Sequence, residues 1–314
     1  MINVGLAKGD ESYGAVKDAL ELIRDDIHIP PDRPVLVKPN MVSKTLELAA
    51  TPVGAVHATM DFLASLGVEK FIVGEGTAGE DGDTMGAFER FGYFSLKDHF
   101  DVEFRNLNDN EWLYLEALGP SLEPVTIRLG KSYFEHYMVS VARMKTHLQA
   151  TVTLSLKNTA IASIHNTDRH SGAWHTPAPG KFSHDPRPMN LNLARLLLAT
   201  RADLAVVDGV VGMEGNGPVA GTAISSGVAL AGTDPLAVDV VGAEVMGFDP
   251  RTVGYLWYLS QLQGLRREDI RVVGERVADC VTRYEPYEEL QRILGWWVED
   301  WRDYLEGDHL SNTG

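Results

Sequence analysis

Three lysines stand at the ends or breaks of apolar runs. Lys38 closes PVLVK at 34–38 and precedes Pro39-Asn40, Lys145 follows the apolar stretch YMVSVARM at 137–144, and Lys157 lies in SLKN beside Asn158. In open α/β sheets, ligands bind beyond the carboxyl ends of the strands. A lysine placed there offers a compact positive charge with several donors. Three of them point to a small anionic molecule, a carboxylate or a phosphate. The competing expectation is three surface lysines whose stems cover apolar surface while their ammonium groups stay in water. His147 follows Lys145 by two positions, and on an extended segment such residues share a side. A cation beside an imidazole favours its neutral form, which a general base requires. These considerations assign catalysis to His147, Lys145 and Lys157, and substrate binding to Lys38, Asn40 and Asn158.

Acidic and amide residues extend the binding set. The turn GMEGNGP at 212–218 presents Glu214 and Asn216. Asp234 precedes Pro235, the pattern of a helix N-cap followed by proline at the first position. Asp239 falls in the apolar run LAVDVVGA, where a carboxylate is costly unless it is paired; it is expected to face solvent or to meet a lysine or a metal. Residues 165–188 are rich in His, Pro, Gly and Ser. So long a segment without its own periodicity reads, over 165–187, as a lid over the site. His165, His170, His175 and His184 in it give the alternative reading, a divalent-metal-dependent enzyme, because neutral imidazoles are common ligands. Their spacing is not HExxH.

The elements that must hold these groups follow from periodicity. Residues 2–8, 34–38 and 70–74 read as strands, separated by helices over 12–27 and 51–66. That alternation implies right-handed crossovers and a mostly parallel sheet with flanking helices. Strand-like pieces within 101–131 suit an antiparallel insertion in the middle of the chain. Residues 137–144 form a further strand, 151–164 fit either a strand or a helix, and strands at 203–208, 227–231 and 270–274 alternate with helices at 189–200, 234 onward and 251–263. The span 1–275 is read as one α/β domain, in one or two lobes. The span 276–314 is read as a helical tail, amphipathic from Glu288 to Leu305 and carrying Trp296, Trp297 and Trp301. The GEGTAG stretch at 74–79 matches GxGxxG but leads into Glu80, Asp81 and Asp83, whose charge opposes a pyrophosphate, so a dinucleotide site is rejected.

Composition narrows the classes. A net charge of -16 repels nucleic-acid phosphates. No apolar run approaches the 18 or so residues of a membrane span, and the N-terminus lacks the basic-then-apolar pattern of a secretory signal. The expected setting is the cytoplasm. The single cysteine, Cys280, cannot hold an iron–sulfur cluster or a Cys-rich zinc site; it reads as a small apolar residue. The expected partner is a small anionic molecule, not nucleic acid or membrane, with self-association through the Trp-rich tail as a further expectation. No cofactor is specified, a divalent metal being the alternative.

Taken together, VKPN at 37–40, TP at 51–52, VGEG at 73–76, MKTH at 144–147, TLSLKN at 153–158, VVDGVVGMEGNGP at 206–218 and AGTDPLAVDVVGAEVMG at 231–247 resemble one family. It is the domain of unknown function numbered three-six-two, often fused to ferredoxin-like iron–sulfur modules. The resemblance implies an enzyme-like α/β domain with Lys38, Lys145, His147, Lys157, Asn158, Glu214, Asp234 and Asp239 in or near its site, and a redox setting for many members. One cysteine departs from that setting. The leading expectation is therefore an enzyme for a small anion, whose chemistry could be isomerisation, a lyase reaction or a redox step with a borrowed cofactor. A non-catalytic protein that docks a redox partner is the reading from another class.

Overall fold

A computed structural model of the chain describes residues 1–77, 83–169, 185–307 and 310–311. In chain order its elements are β1 (Ile2–Lys8), α1 (Ser12–Glu21), β2 (Val35–Lys38), α2 (Val53–Ser65), β3 (Lys70–Glu75), α3 (Thr84–Arg90), β4 (Asp101–Asn106), β5 (Trp112–Leu118), β6 (Pro124–Gly130) and α4 (Ser132–Glu135). They continue as β7 (Tyr137–His147), β8 (Thr151–Thr153), α5 (Ser155–Ser163), α6 (Asn166–Arg169), α7 (Pro186–Ala199), β9 (Leu204–Glu214), β10 (Thr222–Ser225), β11 (Val228–Gly232), α8 (Pro235–Val245), α9 (Gly254–Gln263), β12 (Ile270–Gly274), α10 (Leu290–Ile293), α11 (Trp301–Leu305) and β13 (Leu310–Ser311).

The main sheet runs β12-β1-β11-β9-β7-β2-β3-β4. Its pairings are parallel except where β11 meets β1 and β9. The short strands β8 and β10 add antiparallel partners at the ends of β7 and β9. Strands buried on both faces need continuous apolar runs, and β2, β7 and β11 supply them: every residue of the three is buried. One core cluster joins α5, α7, α8 and α9 to one face of the sheet; another joins α1, α2 and α3 to the other. The expected mostly parallel sheet with flanking helices is therefore the observed architecture. The antiparallel insertion is also present, as the β5–β6 pair with β13 alongside.

Several local expectations need correction. The first piece assigned to the insertion, β4, instead pairs parallel with β3 and extends the main sheet; its short alternating pattern carries no information about direction. β7 does not stop before Lys145 but continues through His147, because β8 folds back and pairs Lys145, Thr146 and His147 with Thr153, Val152 and Thr151. The ambiguous 151–164 segment divides into that strand and then α5. The long tail helix is absent: α10 and α11 are short, and Gly295 between them has non-helical backbone angles. Glycine costs about 1 kcal/mol in a helix interior, and the break lets Trp296 and Trp301 both pack against Trp257. Of the proposed lid, residues 170–184 lie outside the described residues, as do 78–82 of the glycine-rich stretch.

Candidate functional site

β2, β3 and β7 are parallel neighbours, so their carboxyl ends share one rim. Lys38 and Glu75 close β2 and β3 there, with no exposure for Lys38 and 2% for Glu75. Lys38 Nζ lies 2.5 Å from Glu75 Oε2, a buried ion pair. Glu75 Oε1 also accepts the Met41 backbone N–H at 3.1 Å. Glu75 was not among the residues selected from the sequence, although it ends an apolar strand as Lys38 does.

Two asparagines knit the rim together. Asn158 Oδ1 accepts from Lys38 Nζ at 2.7 Å and from Asn40 Nδ2 at 3.2 Å. Its Nδ2 donates to Lys38 O at 3.3 Å and to Ser140 Oγ at 3.0 Å. Both ends of that amide are thereby used, which fixes its orientation. Asn40 is held by its backbone N–H on Thr51 Oγ1, and its Oδ1 accepts from Lys145 Nζ. Lys145 Nζ donates also to Ala49 O at 2.7 Å. Lys145 is fully buried, and burial holds its ammonium well below the usual lysine range, with repulsion from Arg143 and Lys157 adding to the shift.

Lys157 completes the group from the first turn of α5. It is 7% exposed. Among the described residues it forms no hydrogen bond or ion pair, and burial alone pushes its ammonium down to about 7. It lines a cavity of about 40 Å³ with Asn40, Glu75, His147, Thr153 and Asn158 as the polar wall and Met41, Val42, Ile161, Ala162 and Pro218 as the apolar one. A water needs roughly 10–15 Å³ on this measure, so the space suits a few water molecules or one small polar group.

His147 reaches the same cavity. Its Nδ1 accepts backbone N–H groups from Gln149 at 3.0 Å and Ala150 at 3.3 Å. A backbone N–H can only donate, so the neutral ring carries its proton on Nε2, which is then a donor. The turn that supplies these N–H groups is strained: Thr151, opposite His147 in the β7–β8 pair, has φ 64, unusual for a β-branched residue.

The remaining candidates sit elsewhere. Asp239 is fully buried on α8, away from solvent, and among the described residues forms no ion pair with a lysine; its carboxylate accepts the N–H groups of Ser155 at 2.9 Å and Leu156 at 3.0 Å. It therefore caps α5, the helix that carries Lys157 and Asn158. Burial drives its carboxyl well above the usual range, against the opposing pull of those two bonds. Asp234 caps α8 through the Ala237 N–H at 2.9 Å. Glu214 and Asn216 accept backbone N–H groups of Glu285 and Glu288 and so tie down the tail, not the cavity. His165 packs edge-on against Trp112, and its backbone N–H donates to Arg128 O. His170, His175 and His184 lie outside the described residues. Among the described residues no group of three His, Cys, Asp or Glu is placed to hold a metal ion.

A second buried charge was also missed. Arg143 on β7 pairs in register with Asp208 on β9, and both are buried. Asp208 accepts from Ser12 Oγ at 2.7 Å and Val210 N at 2.9 Å. Burial lowers the Arg143 guanidinium and raises the Asp208 carboxyl, each offset in part by the other's charge. An arginine inside an apolar strand is costly unless compensated, which was the available signal.

Residues 35–244, which contain the whole rim and its cavity, match the model of a domain of unknown function, DUF362. The chain belongs to this family. It is 27% identical over 227 residues to a thylakoid-associated protein of Synechocystis sp., covering 71% of this chain and 66% of that protein. Among solved structures, the lactate racemase apoprotein of Thermoanaerobacterium thermosaccharolyticum is similar with a TM-score of 0.47 and 13% identity, over 76% of this chain and 56% of that one. A Thermotoga maritima protein is similar with a TM-score of 0.47 and 14% identity, over 81% and 60%. The chain thus spans less than two thirds of the length of each. Among the described residues no helix of this DUF362 protein is long and apolar enough to cross a membrane.

Proposed function

We propose that this DUF362 protein is an enzyme acting on a small anionic substrate, a carboxylate or phosphate, held at the carboxyl rim of β2, β3 and β7. The observation that carries the reading is Lys157, buried in a cavity wall without a hydrogen bond or ion pair among the described residues. Lys38 has its carboxylate in Glu75. Lys145 and Lys157 form no ion pair among the described residues, so protonating both leaves excess positive charge in a buried site. An entering anion supplies the missing charge and raises both ammonium groups towards their ordinary range. Binding then takes up protons near neutral pH and is tighter at pH 6 than at pH 8.

In this site Lys157 moves a proton or offers a lone pair, since an amine with a pKa of about 7 is substantially neutral at physiological pH. His147 donates from Nε2 towards negative charge developing on a substrate oxygen. Lys38, Asn40 and Asn158 hold the rim in place. A single cysteine suits a reducing compartment, which supports a cytoplasmic setting. The test is calorimetric titration with small carboxylates and inorganic phosphate at several pH values. Lys157→Gln is expected to weaken binding by at least about tenfold, the loss of one charge-assisted hydrogen bond. Unchanged affinity in that variant, or affinity that does not fall with rising pH, overturns the reading.

A further inference from the structure

We propose that Lys157 is a covalent catalyst whose Nζ condenses with the carbonyl carbon of a small oxo acid to form an imine. The proposal rests on the anion-site reading above and names the substrate class within it. A nucleophilic amine must first be neutral, and enzymes achieve this by desolvating a lysine or placing it near another cation. The first condition holds here: Lys157 is buried in a cavity wall and forms no ion pair among the described residues. A lysine meant only to bind an anion gains from staying charged; this one stands in surroundings that disfavour the ammonium.

The neighbours suit the step. Addition forms the C–N bond from the Nζ lone pair, while the carbonyl π pair moves to oxygen. Nζ then loses one proton, the oxygen gains two (that proton and one taken from solvent), and the C–O bond breaks to release water. The product is an iminium carbon attached to Nζ, and no electron donor or acceptor is needed. The His147 Nε2–H is a donor on the same cavity wall for the oxygen that becomes the carbinolamine hydroxyl and then leaves. The substrate carboxylate would lie towards Lys145, whose ammonium is turned to Asn40 at the same rim. The 40 Å³ space limits the substrate to a small oxo acid.

The experiment uses the full chain, glyoxylate and cyanoborohydride, with intact mass and peptide mapping. At pH 7 one carboxymethyl group is expected on the peptide carrying Lys157. Its formation should be roughly 100- to 1,000-fold faster than on an ordinary exposed lysine, because at pH 7 the neutral fraction of such a lysine is about three decades smaller. The labelling rate should level off above about pH 7 instead of climbing towards the ordinary lysine range. Folded Lys157→Gln should lose the label and Lys70→Gln should keep it. A label spread over surface lysines, or a rate still rising steeply from pH 8 to 9, overturns the proposal; the pH profile needs no variant. Oxalate, an anion that cannot form the imine, separates the two claims. Oxalate that binds in calorimetry while glyoxylate leaves Lys157 unlabelled removes the imine and keeps the anion site. Labelling of Lys157 that oxalate does not slow keeps the imine and removes the anion site.

Discussion

Two concave regions of the molecule differ in size and in charge. The cleft beside α8 and α9 is about 480 Å³ and is lined by Trp257, Arg251, Arg266, Arg267 and nearby acids. The cavity at the rim of β2, β3 and β7 is about 40 Å³. In the larger space each arginine already has a carboxylate: Arg251 with Asp249 at 2.7 Å, Arg266 with Asp269 at 2.8 Å, Arg267 with Glu244 at 2.7 Å. These pairs are largely exposed, and such pairs contribute little. Around the smaller space Lys38 is ion-paired with Glu75, while Lys145 and the cavity-lining Lys157 are buried without an ion pair among the described residues. Space alone therefore does not distinguish the two regions; the charge each one buries does. The rim breaks the rules of stable packing, and a fold tolerates such breaks mainly where function needs them.

The largest effects should come from breaking the pair that the rim does satisfy. Glu75→Ala leaves Lys38 as an uncompensated buried cation and is expected to cost about 3–5 kcal/mol in urea unfolding. A cost near zero would mean that Lys38 is hydrated in solution. Trp301→Ala, in the tail, should cost a similar 3–5 kcal/mol, but by opening a cavity against Trp257 and Tyr258. The two can be told apart with the companion change Lys38→Met, which should restore part of the loss in the first variant and none in the second.

An opposite sign is expected at Lys157. The unfolded chain keeps this lysine near 10.5, whereas the folded chain holds it at about 7. Between those values the unfolded state binds the proton more tightly, so the folded protein gains stability as pH rises through that window. Lys157→Met removes the penalty. The variant should be more stable than the parent by about 1–4 kcal/mol at pH 6, with the gain shrinking as pH climbs. A variant less stable than its parent at pH 6 would show that Lys157 is satisfied in solution by a partner, and the contrast between the two cavities would weaken.

What the sequence revealed of this arrangement follows a physical boundary. Lys38 was legible because a charge that closes a buried apolar run must sit at a strand end. Its pairing with Glu75 was not, because it depends on β2 and β3 being neighbours in a register that sets Val37 beside Val73. Lys157 could be singled out, but its lack of a partner is a property of the folded surroundings. Asp239 was recognised as costly in an apolar run unless paired and was expected to face solvent or meet a lysine or metal, yet it is buried and its partner is the backbone of α5, reached from a residue 84 positions away. Composition and periodicity report what each segment buries; they do not report which buried groups meet.

The smallest expected effect concerns the same question at the tail. Trp296 and Trp301 are buried, with 7% and 6% exposure, whereas Trp297 is 50% exposed. Trp297 still stacks edge-on against Trp257 at 4.9 Å between ring centroids. Such a pair contributes about 0.5–1.5 kcal/mol beyond the area it buries, and half of that area stays in water. Trp297→Ala should therefore cost only about 1 kcal/mol, a fraction of the Trp301→Ala value. The measurement is the urea midpoint of both variants at two protein concentrations about a hundredfold apart. If the tail contributes only to its own chain, the Trp297→Ala cost is small and independent of concentration. If a second copy covers the exposed indole, the cost grows with concentration, because association stabilises the folded state by mass action.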